Sequence, residues 1–254
     1  LSTMEIKPME DRQAFAAARD QVVGVQRKRQ GIGTLSEKTV HAILKNYYAP
    51  VQQQEIPVDR YVADICTGSQ IIEIQTRNFN VMRDKLQCFL QLYPVTIVYP
   101  VPNKKWIIWI DEESGELSEP RKSPVTGNVY SVFRELYRIK SFLKNPNLHF
   151  KVVLLDMEEY RLLNGWSRDK KRGSARYDRI PTELVKEISI DCLQDYLQFL
   201  PFDLPEQFTS AEFARAVHIT KPLAQVSLNL FHYVGVVERI GKKGNSFLYT
   251  VKDF

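Results

Sequence analysis

The amino-acid sequence predicts an α/β protein, with helices packed against a mixed sheet and a smaller unit at the C-terminus. Short apolar segments are separated by helical segments from residue 36 to residue 200, which is typical of helices layered on a sheet. A proline-rich stretch over 200–205 then ends the helical pattern. The chain has 254 residues, 44% of them hydrophobic, enough for two units. We therefore predict a helical arm over 1–35, an α/β domain over 36–200 and a C-terminal domain over 205–254.

Two helices are predicted before the first strand. A charged segment rich in alanine predicts a helix over residues 11–26. The second helix begins after Ser36, which is a favourable N-cap, and runs to residue 48. Its apolar residues recur at helical spacing, and they are Val40, Ile43, Leu44 and Tyr47. This second helix is therefore amphipathic and is expected to pack on the sheet.

Strand patterns follow the second helix. Apolar and polar residues largely alternate over 55–58, 61–66 and 70–75, and Gly68 with Ser69 supplies the turn between the last two. These segments are expected to pair as antiparallel neighbours, because the connections between them are short.

The next apolar runs are expected inside the sheet. After a helix over 81–92, an apolar strand over 95–101 is predicted to pair as a hairpin with residues 106–111, since Pro102 and Asn103 between them are turn residues. The domain is then predicted to continue through the segments that remain. These are a loop over 112–128, a helix over 129–143, a buried strand over 150–156 and one or two helices over 181–200.

Positive charge is concentrated in a few segments. The formal net charge is +5, and residues 166–177 combine Trp166 and Tyr177 with a run of Arg and Lys. Such a mixture can bind phosphate groups and stack on an unpaired base, and a solvated loop can have the same composition. The residues predicted to bind nucleic acid here are Arg168, Lys170, Lys171, Arg172 and Arg176.

The C-terminal segment has a specific order of elements. Thr209 caps a predicted helix over 210–217, a tight turn follows, and Thr220 caps a second helix over 221–234. Two alternating strands, 236–240 and 246–251, then form a hairpin whose tip is flanked by glycine.

In this order of elements the segment resembles the winged helix domains of bacterial and archaeal regulators. The resemblance implies that the second helix lies in the major groove and that the hairpin touches the DNA backbone. Lys221, Gln225 and Asn229 would project from the outer face of that helix, and Lys242 with Lys243 would contact phosphates. Winged helices also dock proteins, so a protein partner or a homodimer is the alternative.

Two carboxylates in the predicted hairpin form the main candidate site. Asp64 lies in one strand and Glu73 in the next, nine residues later, with Gln75 two positions further on. Because side chains alternate along a strand, Glu73 and Gln75 share a face, and pairing brings Asp64 alongside them. Carboxylate and amide oxygens suit Mg²⁺ or Mn²⁺, so we predict Asp64 and Glu73 as metal ligands.

At these residues the sequence resembles the PD-(D/E)xK nuclease superfamily, which includes restriction endonucleases and Holliday junction resolvases. The match in element order covers about residues 36–101. The resemblance implies a restriction-endonuclease-like α/β fold and Mg²⁺-dependent hydrolysis of double-stranded or branched DNA. Glu37 matches the helix carboxylate that completes the metal site in related members. Gln75 stands where lysine is usual, and an amide cannot deprotonate water as lysine can.

Two other interpretations of the candidate site remain open. Asp64 and Glu73 can be ordinary charged residues on the exposed face of a hairpin. The chain can also be a DNA-binding or assembly protein that retains the nuclease fold without catalysis, including a subunit of a defence or mobile-element system. Carboxylates within apolar strands are costly unless paired or bound to metal, which favours a metal site.

Several other classes of protein find no support in the sequence. No run of 18 apolar residues and no secretory leader is present, which predicts a cytoplasmic protein without a membrane partner. The cysteines, Cys66, Cys88 and Cys192, lack the paired spacing of zinc sites, and the histidines are dispersed. Phosphate-loop, nucleophile-elbow and dinucleotide motifs are absent as well.

Overall fold

The computed structural model describes residues 9–30, 39–166 and 172–252. It contains a seven-stranded mixed sheet with helices packed against it and a three-stranded sheet near the C-terminus. The α/β class predicted from the sequence is therefore confirmed. Among the described residues, no helix is both long enough and apolar enough to cross a membrane.

The elements are numbered in chain order. The α-helices are α1 (Met9–Gln30), α2 (Thr39–Tyr48), α3 (Arg83–Phe89), α4 (Val132–Arg138), α5 (Ser210–Ala216) and α6 (Lys221–Val234). The strands are β1 (Gln54–Val58), β2 (Tyr61–Cys66), β3 (Ile71–Ile74), β4 (Val95–Ile110), β5 (Arg121–Lys122), β6 (Leu148–Trp166), β7 (Arg172–Ile190), β8 (Phe208–Thr209), β9 (Val237–Lys243) and β10 (Ser246–Val251). Short 3₁₀ turns cover Val51–Gln53, Phe79–Met82, Val129–Ser131, Lys140–Phe142 and Leu193–Phe199.

The large sheet mixes antiparallel and parallel pairs. Its order is β1-β2-β3-β4-β6-β7, with β5 paired to β4. The first three strands form an antiparallel meander, as their short connections predicted. β3, β4 and β6 are parallel, because α3 and α4 supply the crossovers between them, and β7 returns antiparallel to β6.

Helices cover both faces of this sheet. On one face α1 and α2 bury Phe15, Ile43 and Leu44 against the sheet. On the other face α3 and α4 bury Leu86 and Phe133. The N-terminal helix is thus part of the packed structure, with the Phe15 ring edge-on to Tyr47 of α2. All four residues of β3 are buried because the strand is covered from both sides.

The predicted hairpin between residues 95–101 and 106–111 is wrong. These residues form the single strand β4, which pairs with β6 along nearly its whole length. Pro102 and Asn103 produce a bulge, where the register to β6 shifts. The Asp156 carboxylate stabilises this bulge by accepting hydrogen bonds from the Asn103 side chain at 2.6 Å and the Lys104 N–H at 3.0 Å. The strand therefore bends locally and continues in the same direction.

The helices predicted over 181–200 are also wrong for most of that range. The segment begins as the second half of β7 and then forms the short 3₁₀ turn Leu193–Phe199. The spacing of Leu184 and Ile188 fits a helix face and a strand face equally well. The long strand β6 decides between them, because it offers β7 a continuous row of backbone partners.

The C-terminal unit confirms the predicted pair of helices followed by a hairpin. Thr209 caps α5 in a capping box with Glu212, and the sheet order is β8-β10-β9. Its core is continuous with that of the α/β domain, since Phe231 of α6 packs edge-on to Phe133 at 4.9 Å between ring centroids. Asn229 does not project outward as predicted, because it accepts a hydrogen bond from Lys140 at 2.8 Å.

Candidate functional site

Asp64 and Glu73 meet where β2 and β3 separate. The two strands pair at Ile65 with Ile72, and the carboxylates occupy the next position. There the Asp64 N–H donates to Glu73 Oε1 at 3.1 Å, and the Ile74 N–H donates to Asp64 Oδ2 at 2.8 Å. Each carboxylate thus satisfies a backbone group that strand pairing leaves open. The structure brings together the two side chains that the sequence proposed as metal ligands.

A lysine and a histidine from the flanking helices complete the cluster. The Lys85 Nζ atom of α3 lies 2.6 Å from Glu73 Oε2, and the His41 Nε2 atom of α2 lies 3.0 Å from Asp64 Oδ2. Glu73 is almost fully buried, with 5% of its side chain exposed, so Lys85 provides its charge partner inside the protein. The sheet supplies both carboxylates and the helices supply both partners.

The two carboxyl groups have pKa values shifted in opposite directions. Burial and the neighbouring Asp64 charge raise the pKa of Glu73 to about 7, although Lys85 acts to lower it. Burial alone would also raise the pKa of Asp64, but the hydrogen bond and charge of His41 and the Ile74 N–H outweigh it and lower that pKa. Asp64 is therefore ionised at neutral pH, while Glu73 titrates in the physiological range.

A cleft of about 700 Å³ opens beside the cluster at the end of β3. The polar residues that line it are His41, Lys45, Glu55, Gln75, Thr76, Arg77 and Asn78. The Gln75 side chain donates to the Arg77 carbonyl at 2.7 Å, so its amide group is used to hold the cleft wall. His41 both lines the cleft and contacts Asp64, and it therefore connects the buried carboxylates to the cleft.

The cluster contains few side chains that could bind a divalent cation. Within the described residues no group of three or more His, Cys, Asp or Glu side chains is arranged to hold a metal ion. Asp64 and Glu73 supply carboxylate oxygens, the ligand type that Mg²⁺ and Mn²⁺ prefer. Glu37, the predicted third carboxylate, lies outside the described residues. The described donor set is therefore a pair of carboxylates, and their present partners are Lys85 and His41.

The predicted nucleic-acid-binding residues lie on separate elements. Lys221 and Gln225 are exposed in the first half of α6, and Lys242 with Lys243 is exposed at the end of β9. Arg176 is exposed on β7, 3.7 Å from the Glu159 carboxylate. The remaining predicted residues, Arg168, Lys170 and Lys171, lie outside the described residues, as does the side chain of Arg172.

Lys85 and His41 were not predicted as members of the site. Lys85 follows Glu73 by twelve residues on a helix whose sheet-facing residues, Leu86 and Phe89, dominate its pattern. His41 gives a weak signal, because it follows Glu37 by four residues in the helix that the sequence predicts after Ser36. Neither spacing predicts a contact with a carboxylate in β2 or β3.

Comparison with known proteins gives one family match. Residues 38–191 match the family described as Domain of unknown function (DUF8091). This range begins next to α2 and ends just after β7, so it covers the whole seven-stranded sheet. A Treponema pallidum (strain Nichols) protein described as "Uncharacterized protein" is 25% identical over 229 residues, which is 86% of each chain. No solved structure matches the chain.

Proposed function

The chain belongs to the family described as Domain of unknown function (DUF8091), and we propose that it is a metal-dependent phosphodiesterase that cuts DNA. The observation that carries the proposal is the meeting of Asp64, Glu73 and the Lys85 ammonium at the end of β3, beside an open polar cleft. Two carboxylates and a neighbouring lysine supply groups that a metal-dependent phosphodiester site can use.

The topology around the site supports this proposal. The elements α2, β1, β2, β3, α3 and β4 follow one another in the order that the PD-(D/E)xK resemblance implies. The three strands form a meander, and β4 lies parallel to β3 after the crossover through α3. We therefore propose a restriction-endonuclease-like fold for the α/β domain, with the candidate carboxylates on the same two strands as in that superfamily.

Each residue of the cluster then has a chemical role. Asp64 and Glu73 would hold Mg²⁺ or Mn²⁺, which when bound lowers the pKa of a coordinated water and stabilises negative charge on the phosphate. Lys85 supplies the positive charge that Gln75 cannot, and it reaches the site from α3 rather than from β3. His41 faces the cleft and can transfer a proton there, with Asp64 orienting its ring.

The C-terminal unit supports a role in holding duplex DNA. The 3₁₀ turn at Leu193–Phe199, then β8, α5, α6 and the β9–β10 hairpin follow the order of a winged helix domain. The first half of α6 is exposed at Lys221 and Gln225, the part that enters the major groove in that fold. We propose that this unit grips the duplex while the α/β domain acts on it.

The direct test measures nicking of supercoiled DNA by the full chain. We expect conversion to open circles with Mn²⁺ or Mg²⁺, at least about tenfold faster than with EDTA. An Asp64→Ala/Glu73→Ala variant purified in parallel should show only the EDTA rate. Equal nicking by the parent and this variant would assign the activity to a contaminant and refute the proposal, as would metal-independent cleavage.

The hairpin tip offers a second test, which concerns DNA binding. A Lys242→Ala/Lys243→Ala variant is expected to bind duplex DNA about tenfold more weakly in a low-salt gel shift, because two phosphate contacts are lost. An Arg60→Ala/Lys252→Ala variant removes the same charge outside the hairpin tip and should bind like the parent. If both variants lose affinity equally, general charge and not the hairpin accounts for binding.

One observation favours a second candidate function, a DNA-binding protein without catalysis. Both oxygens of Glu73 already accept hydrogen bonds, one from the Asp64 N–H and one from Lys85. In that case the cluster stabilises the sheet where β2 and β3 separate, and the nuclease fold serves assembly on DNA. The nicking assay separates the candidates, since this one predicts DNA binding with no metal-dependent cleavage by either protein.

A further inference from the structure

Three strands extend the large sheet well beyond the candidate site. β3 ends at Ile74, which pairs with Val98, whereas β4 continues to Ile110 and pairs with β6 throughout. Since β3, β4 and β6 are parallel, this extension leaves the sheet at the same end as the carboxylate cluster. We call the parts of β4, β6 and β7 beyond the bulge at Pro102 the arm. This name does not refer to the helical segment predicted over 1–35.

One carboxylate on the arm is surrounded by cations from all three strands. Glu159 of β6 is fully buried, and its side chain contacts Arg161 on the same strand. Lys105 of β4 lies 3.4 Å from Glu159 Oε2, and Arg179 of β7 lies 2.8 Å from the same atom. Arg176 approaches it at 3.7 Å. The contacts are charge-assisted and hold the cations in fixed positions.

These cations share one face of the arm. The opposite face carries Ile108, Tyr160 and Ile180, which form a buried cluster with Val23 of α1 packed against it. Glu159 and Arg161 alternate with Tyr160 along β6, so they lie on the other side of the strand from Tyr160. On the same side the Arg161 guanidinium lies 6.0 Å above the ring centre of Trp109, which orients it further.

The cluster carries more positive charge than its carboxylate can neutralise. Even without Arg176, three cations face the single charge of Glu159. Burial would raise the pKa of Glu159, but Arg179 and Arg161 lower it to about 2, so the carboxylate is ionised at every physiological pH. Arg161 and Arg179 keep 30% and 26% of their side chains exposed, which leaves donors available to an anion at the surface.

We propose that this cation-bearing face of the arm binds the sugar-phosphate backbone of the duplex whose scissile phosphate lies at the carboxylate cluster. The inference rests on the proposed function, because it requires that the carboxylate cluster and the arm contact the same DNA molecule. Lys105 follows Val98 by seven residues, which corresponds to about 20 Å along the strand. At about 3.4 Å per base pair, the arm reaches a backbone about six base pairs from the site of cleavage.

The test compares DNA binding by the full chain and two double variants. Arg161→Gln/Arg179→Gln removes two cations and leaves Glu159 paired with Lys105, while Arg60→Gln/Lys252→Gln removes the same charge elsewhere. Fluorescence anisotropy in EDTA with a duplex of about 20 base pairs should show the arm variant binding about tenfold more weakly, with a salt slope smaller by about two. A duplex of about 8 base pairs, which extends only about four base pairs to either side when it is centred on the site, should bind both variants like the parent.

Other outcomes would overturn the inference. If the arm variant keeps the affinity and salt slope of the parent while its melting temperature is unchanged, Glu159 and its partners form a structural ion-pair network. Equal weakening by the control variant would show a non-specific charge effect. Because the measurement contains no metal, it is independent of cleavage. Binding through the arm without Mn²⁺-dependent nicking would refute the proposed function alone, and nicking without dependence on the arm would refute this inference alone.

Discussion

Lys85→Met is expected to slow metal-dependent DNA cleavage by about 100- to 1,000-fold, the loss typical of removing one charged group that stabilises a transition state. The Lys85 Nζ atom lies 2.6 Å from Glu73 Oε2 and is the cation paired with that buried carboxylate. Methionine keeps most of the side-chain volume but has no charge, so Glu73 would retain a proton at neutral pH. The variant therefore loses both the positive charge and a metal ligand. Initial nicking rates over a range of Mn²⁺ concentrations measure the two effects.

A second substitution distinguishes a role in chemistry from a role in folding. Lys85→Met/Gln75→Lys returns a lysine two residues after Glu73, where the superfamily places it, and is expected to recover at least about tenfold of the lost rate. Arg83→Met is a matched control on the same helix, because Arg83 donates to the Arg138 carbonyl and not to the cluster. A Lys85→Met protein that cleaves like the parent would show that the Lys85 charge has no role in cleavage.

The part of the site that the sequence predicted is the part made by local structure. Asp64 and Glu73 are separated by nine residues and a short turn, so strand pairing alone brings them together. Lys85 and His41 reach the cluster through the rotation and placement of helices on the two faces of the sheet. A helical pattern shows which face is apolar, but it does not show which residue at its margin will meet a charge on the sheet.

The two wrong predictions about the fold have a related cause. The sequence showed turn residues at Pro102 and Asn103, but Asp156, more than fifty residues away, decides that they form a bulge. Likewise Leu184 and Ile188 have an ambiguous spacing, and β6 selects the strand. In both cases long-range pairing outweighs local preference. The C-terminal helices were predicted closely because caps such as Thr209 are local signals.

Glu73→Gln is expected to change how stability depends on pH. The pKa of Glu73 is about 7 in the folded protein, above its ordinary value of 4.5. A raised carboxyl pKa contributes stability that is fully present below about pH 4.5 and is lost as the pH rises through about 7. The parent therefore loses about 3 kcal/mol from this group between those limits, whereas glutamine, which does not titrate, loses none.

Urea unfolding at about pH 5 and about pH 8.5 measures this difference. The free energy of unfolding of Glu73→Gln, relative to the parent, should rise by about 3 kcal/mol over that interval. In Glu73→Gln the Lys85 side chain has no charged partner, which changes the free energy of unfolding at both pH values. The difference in this free energy between the two pH values is therefore the quantity that tests Glu73. Glu238→Gln, which removes a carboxylate from the exposed hairpin, should show no such rise. A flat difference for Glu73→Gln would mean that Lys85 keeps Glu73 ionised throughout.

The same titration connects stability to metal binding. A divalent cation binds the ionised carboxylate, so Mn²⁺ should raise the melting temperature of the parent more at about pH 8.5 than at about pH 5.5. Glu73→Gln lacks the charge that produces this pH dependence. Mn²⁺ should therefore raise its melting temperature only slightly at both pH values. Because the pKa of Asp64 is lowered, that residue remains ionised over the whole interval and cannot account for the difference. An equal Mn²⁺ effect in the parent and the variant would exclude Glu73 as a metal ligand, and with it the role proposed for the cluster.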